Sequence, residues 1–322
     1  MSDTGRSRVR WWFDGEVGLS RARAPPCRVL RRFRHVLLHL PPKALAVTGS
    51  VRAAAALSVR PLDRPAEMRA GVELYRTVLE LGPTDPAVSP RLLFALRRNG
   101  GSVIGAFDDD KLVGFAYGFV GKDADSGEVY HYSQAAVVHP QWQGRGVGRA
   151  LKLGQRDYVR TTGLHWMRWS FDPVRAGNAH FNLDVLGARA RWFVRSLYGV
   201  EDMGRDLGFP SDRLIVAWDL TGPPSPAAVD RSPTPCPGWG EVARQGSDLL
   251  VGIPSEWAAV AGDKSRATKV RATVSAAFER AIADGYVAVS CERVGADSAC
   301  YRLRPATLGA DEASGSDGGV RK

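Results

Sequence analysis

Between Val137 and Leu151 the chain reads Val-Val-His-Pro-Gln-Trp-Gln-Gly-Arg-Gly-Val-Gly-Arg-Ala-Leu. Gly144, Gly146 and Gly148 let the backbone turn sharply and let an anion approach the amides with no Cβ in the way. A helix beginning here leaves its first N–H groups unpaired, beside the positive end of its dipole. Together these features make a diphosphate site. Arg145 and Arg149 add guanidinium groups suited to phosphate oxygens. Two other phosphate motifs are excluded. A dinucleotide fingerprint would need a small residue where Arg149 or Leu151 stands, and the Lys-Ser/Thr ending of a P-loop is missing.

The flanking segments read as the elements that hold this loop. Leu57–Leu62 alternates like a strand. Pro65 opens a helix reaching about Leu81, and Ser89-Pro90 caps a second reaching about Asn99. Strands are expected over 102–107, 111–120 and 128–138. The helix after the loop is expected over 146–162, with Ala150, Leu151, Leu153, Gly154 and Val159 on its buried face. A strand over 165–171, a helix over 178–186 and a strand over 213–220 complete the series. Six prolines between residues 222 and 240 read as a linker or surface crossing. A smaller unit follows, with a strand at 248–253, a helix at 264–284 and strands at 286–294 and 299–303.

The loop resembles the acyl-CoA loop of the GNAT acetyltransferase superfamily. Gln143, Gly146 and Gly148 match its signature, and Val138 and Pro140 match the end of the preceding strand. The order of elements agrees over roughly residues 57–220. Phe171–Gly187 and the C-terminal unit are similar to a bacterial branch of that superfamily with an extra C-terminal lobe. The resemblance implies an α/β fold with a mixed sheet, and acetyl-CoA or another acyl-CoA as co-substrate. Its expected holders are Val137, Val138, Gln143, Gly144, Arg145, Gly146, Val147, Gly148, Arg149 and Asn178. Many members carry a strand Glu that deprotonates the amine. The matching stretch here holds His131, whose reference pKa of about 6.5 suits the task, with Glu128 as the second candidate. The Tyr that protonates the departing thiolate in many members has no counterpart near Asp184-Val185, and Tyr198 lies too far along to transfer by motif. Trp166, Trp169, Phe171, Phe181, Trp192, Phe193 and Tyr198 make an aromatic region suited to core and pocket walls.

The implied activity is transfer of an acetyl group to an amine of a small molecule or protein, in a ternary complex. A non-catalytic acyl-CoA-binding regulatory module is the alternative. The expected organisation is a basic extension over 1–55, the acetyltransferase domain over 56–221, the linker over 222–240, a small α/β lobe over 241–305 and a tail over 306–322. Of the net charge of +10, +8 falls within residues 1–55, where eleven Lys/Arg face three acidic residues. The body is therefore nearly neutral, and nucleic acid is not an expected partner. Within the extension, Val29–Leu40 reads either as floppy chain or as a short basic amphipathic helix. The four cysteines show no paired spacing and no metal pattern, which fits a cytoplasmic setting without a bound metal. No apolar run approaches the roughly 20 residues of a membrane span. The sequence leaves a homodimer open.

Overall fold

The computed structural model describes residues 57–202, 206–228 and 236–306. The segment Val29–Leu40 and the tail lie outside the described residues. The described chain is a mixed α/β structure built on one 11-stranded sheet, in the order β1-β2-β3-β4-β5-β7-β6-β10-β11-β9-β8. The strands are β1 (Ser58–Pro61), β2 (Ser102–Asp108), β3 (Lys111–Lys122), β4 (Val129–Val138), β5 (Trp166–Phe171), β6 (Arg189–Val194), β7 (Arg213–Asp219), β8 (Val242–Gln245), β9 (Asp248–Pro254), β10 (Tyr286–Arg293) and β11 (Ser298–Pro305).

Two helices, α1 (Pro65–Leu79) and α2 (Pro90–Arg98), start at prolines, which lack the N–H that a first turn would leave unpaired. They bury Met68, Val72, Leu74 and Leu93 against Phe115, Tyr117 and Val137 on one face of the sheet. Helix α3 (Val147–Arg160) covers the other face. There Val147 and Leu151 pack on Ile104, Ala106, Val113 and Ala116. The buried positions of α3 are Val147, Leu151, Lys152, Gln155, Arg156 and Val159. That corrects the expected face, since Ala150, Leu153 and Gly154 are half-buried. Gly154 is needed for closeness: a Cβ there would lie 2.3 Å from Val59 Cγ1.

The segment expected to be one helix over 178–186 is a short α4 (Ala176–His180) continued by a π-helical turn, Phe181–Val185. Two strands were not foreseen. β6 pairs with β7 through an irregular register, and β8 is four residues long.

The C-terminal strands extend the same sheet, joined through Ala288 opposite Ala190. Helix α6 (Lys264–Ala283), preceded by the short α5 (Ala258–Ala261), packs there. Phe278 lies 4.8 Å from Tyr301, ring edge to ring face, and both are fully buried. Their cluster is continuous with Trp169, Leu183, Leu214 and Trp218, so one core underlies both parts. Arg271 of α6 forms a buried ion pair with Asp172 at 2.7 Å, and the Tyr301 hydroxyl donates to the Pro173 carbonyl at 2.9 Å. Asp184 accepts from the Ser290 hydroxyl at 2.6 Å and the Cys291 amide at 2.8 Å. The C-terminal unit thus holds the Asp172–Val185 segment from both ends.

Candidate active site

Three local features build the site around β4. The first is a break in pairing. β4 runs antiparallel to β3, but the register shifts between Tyr117↔Ala135 and Gly118↔Ser133, which leaves Gln134 as an extra residue. Such a bulge bends its strand and re-aims its polar groups. On the other side β4 pairs with the parallel β5 only at His131↔Met167 and Tyr132↔Arg168. From Ser133 onward the two strands part, while Trp169, Ser170 and Phe171 pair with β7. A strand between two neighbours directs half of its N–H and C=O groups to each side. The β5-facing groups of Ser133–Val138 therefore border a gap.

The second feature is the loop at the open end of that gap. Gly144 and Gly146 have φ of 72° and 80°, the left-handed region that a Cβ penalises. A Cβ at either would meet nothing within 4 Å, so the space over the loop is open. Gly146 is the N-cap of α3 and offers no side-chain acceptor. Among the described residues, the amides of Gly144, Arg145, Gly146, Val147, Gly148 and Arg149 donate to no acceptor; the first backbone bond is from Ala150 to Gly146, at 3.0 Å. Gln143 anchors the loop by donating from Nε2 to the Val138 carbonyl at 3.0 Å. Arg145 and Arg149 are exposed. Gly148 lies against Phe181 and Val138, with a Cβ position 3.7 Å from both. Asn178 is exposed on α4, while Val137 is buried in the α1/α2 core.

The third feature is a cavity of about 430 Å³ on the α1 side of the sheet. Tyr75 and Leu79 of α1, the β4 segment Gln134–Val137, Ser170 of β5, and Tyr198, Glu201 and Arg213 line it. The Tyr198 hydroxyl is 3.4 Å from Ser170 Oγ. Arg213 donates to Glu201 at 2.6 Å. Burial raises the Tyr75, Tyr117 and Tyr132 phenols above their usual range. Tyr198, Glu201, Arg213 and Ser170 come together only through the fold; no sequence spacing links the loop after β6 to β4.

The two candidate bases stand elsewhere. His131 is fully buried on the opposite face of β4, under α3, where its Nε2 is 2.9 Å from Ser102 Oγ. Burial, and then the neighbouring Lys152, lower its pKa to about 4. It is neutral at pH 7 and turned away from the cavity. The physical reason is strand parity: His131 and Ser133 face α3, whereas Tyr132 packs on Phe119 at 5.4 Å on the other face. Glu128 is tied to Arg168 at 2.5 Å, and Arg168 also pairs with Asp123 at 2.7 Å. It belongs to an ion-pair cluster at the β3–β4 hairpin, not to the cavity lining.

The gap and the free amides lie within a segment that matches a known family. Residues 70–179 match the model of the acetyltransferase (GNAT) family. The chain carries a GNAT acetyltransferase domain and is an enzyme of the acyltransferase type. No curated protein matches it. Among solved structures it is similar to yncA of Salmonella typhimurium, solved with acetyl-CoA, at 23% identity over 54% of this chain and 99% of that one, with a TM-score of 0.42. The ribosomal-protein-alanine N-acetyltransferase of Brucella melitensis is 16% identical over 50% of this chain and 99% of its own, with a TM-score of 0.42. The phosphinothricin acetyltransferase of Sinorhizobium meliloti, also solved with acetyl-CoA, is 18% identical over 51% and 88%, with a TM-score of 0.40.

Proposed function

We propose that this chain transfers an acetyl group from acetyl-CoA to the amine of a small molecule, by direct attack within a ternary complex. The observation that carries the reading is the run of six partnerless amides from Gly144 to Arg149, set where β4 parts from β5. In this reading those amides, with Arg145 and Arg149, hold the diphosphate. The β5-facing backbone of Ala136–Val138 pairs with the pantetheine arm as a missing strand would, and a β4 amide past the Gln134 bulge receives the thioester oxygen as negative charge develops on it. Gln143 fixes the loop to the strand, Gly148 gives the arm room beside Phe181, and Asn178 borders the same space from α4.

The acceptor enters from the α1 side. A cavity of about 430 Å³ is the size of a small-molecule site. Its tyrosines and leucines suit a partly apolar amine, and Glu201, held in its pair with Arg213, leaves its second carboxylate oxygen to orient the amine and receive its proton through water. His131 and Glu128, the bases expected from the strand motif, have no part in this arrangement. We take residues 56–221 as the catalytic domain and 241–305 as a lobe that braces α4, and we place the reaction in the cytoplasm. Among the described residues no helix is long and apolar enough to cross a membrane.

Thiol release from acetyl-CoA tests the reading. Turnover with arylalkyl amines, lost on Glu201→Gln with binding of acetyl-CoA retained, supports it. Binding of acetyl-CoA with no turnover against any amine favours a regulatory module instead.

A further inference from the structure

Lys152 is buried without a counter-ion. It is 3% exposed, and its Nζ donates to Ser133 Oγ at 2.8 Å. The same nitrogen lies 3.8 Å from the ring centre of Trp169. Ser133 and Trp169 are the first residues beyond the last β4–β5 pair, Tyr132↔Arg168. From the α3 side Lys152 thus touches the two residues at which the strands begin to part. The groups facing it are Ser133 and His131 from β4, Ser102 from β2, Gln155 from its own helix and Trp169 from β5, whose indole is held by Asn182 Oδ1 at 3.1 Å. None is a carboxylate, and His131 is the one titratable member.

The bonds of this cluster run in one direction. Lys152 donates to Ser133, Ser133 to Gln155 Oε1 at 2.9 Å, and Gln155 Nε2 to Ser102 Oγ at 2.9 Å. The Ser102 hydroxyl is then left to donate to His131 Nε2. An ammonium carries three donors, yet here it meets one oxygen and the face of one ring. Burying a cation without an anion is costly, and that burial lowers the Lys152 pKa to about 7. A lysine in that range gives up and regains a proton near neutrality. No carboxylate faces this ammonium, and the anion that acyl transfer creates is a thiolate.

We infer that Lys152 is the acid that protonates the leaving sulfur. The inference rests on the reading that the β4–β5 gap holds the acyl thioester. The amine lone pair forms the new N–C bond, the C–S bonding pair moves onto sulfur, and a proton from the Lys152 ammonium converts the thiolate to the thiol. The neutral lysine then regains a proton from those shed by the acceptor ammonium, so the balance closes with one proton released to solvent. Trp169 supports the cation through its ring face, and Ser133 aims it.

The test uses the full chain with Lys152→Met and Lys152→Arg. Lys152→Met replaces a buried charge with an apolar chain of similar length, so its unfolding temperature should not fall below that of the wild type. Acetyl-CoA binding by calorimetry should be retained. With the amine that the wild type turns over fastest, kcat should fall by about 100-fold or more with KM for acetyl-CoA little changed. The decline of wild-type kcat above neutral pH, where Lys152 loses its proton, should vanish in the variant. Lys152→Arg should not restore kcat, since guanidinium does not release its proton. The direct readout is the ultraviolet absorbance of bound coenzyme A as its thiol titrates: the thiolate should form at lower pH in the wild type than in Lys152→Met. Identical titration of the bound thiol, or an unchanged pH profile, overturns the inference while leaving the binding site intact. Failure of the wild type to bind acetyl-CoA overturns both.

Discussion

Helices α3 and α6 begin in opposite ways. At α6, Asp263 is the N-cap, and its carboxylate accepts from the Arg266 amide at 3.0 Å. At α2, Ser89 does the same for Leu92 at 3.1 Å, and at α1 the Glu67 carboxylate takes the amides of Asp63 and Arg64. Each of these helix starts has one or two of its leading amides taken by a side chain of its own. α3 begins at Gly146 with nothing to satisfy them. A glycine N-cap gives up only a few tenths of a kcal/mol relative to an Asp or Ser cap, and here the unpaired amides extend back to Gly144. The difference teaches that the amides of α3 are kept for a ligand, whereas those of α6 serve the fold.

Exchanging the two kinds of cap gives the largest expected effect. Gly146→Asp places at α3 the acceptor that α6 already has, in a left-handed conformation that Asp tolerates better than most side chains. The carboxylate would compete for the amides and repel phosphate. Acetyl-CoA affinity should fall by about 100-fold, read by calorimetry, with the unfolding temperature nearly unchanged. Next comes the charge around the loop. Arg145→Ala with Arg149→Ala should weaken binding by about 10-fold at low salt and by less at high salt, as screened charge-assisted contacts do. The converse change at α6 is smaller. Asp263→Ala should cost about 1 kcal/mol in denaturant unfolding and leave acetyl-CoA binding untouched.

The smallest effect concerns pH, and it separates the polar cluster beneath α3 from the exposed loop. His131 and Lys152 both have folded-state pKa values lowered by burial, to about 4 and about 7. The unfolded chain therefore binds more protons than the folded one, for His131 between pH 4 and 6.5 and for Lys152 between pH 7 and 10.5, so stability rises with pH through both windows. Lowering the pH from 7 to 6.5 should cost a few tenths of a kcal/mol in unfolding free energy. That loss should shrink in Lys152→Met and stay the same in Arg145→Ala.

The loop was legible because its chemistry is local. Gly144, Gly146 and Gly148 act through their own backbone, and the strand before and helix after them carry plain periodic signals. Helix α6 was legible for the same reason, from Lys264 to the stop at Gly285. The side of β4 on which a residue falls was not legible. His131 faces α3 through the pairing on both sides of β4 and a bulge at Gln134 that shifts parity along the strand, and a register is not a property of one segment. Lys152 was missed because the buried face of α3 was counted from apolar residues, while its centre holds Lys152, Gln155 and Arg156. β6 was missed because its irregular register blurs the alternation around Arg189, Arg191 and Trp192. Tyr198 and Glu201 reach the cavity by long-range folding that no motif records.

The central claim is that the amides from Gly144 to Arg149 receive the diphosphate of acetyl-CoA. Amide-resolved nuclear magnetic resonance of the 15N-labelled chain, titrated with acetyl-CoA, reads those groups one by one. The account predicts that these six amide signals move together and furthest, with saturation, while the amides at the start of α6 stay still. Saturable binding that shifts other amides and leaves these six in place would contradict it.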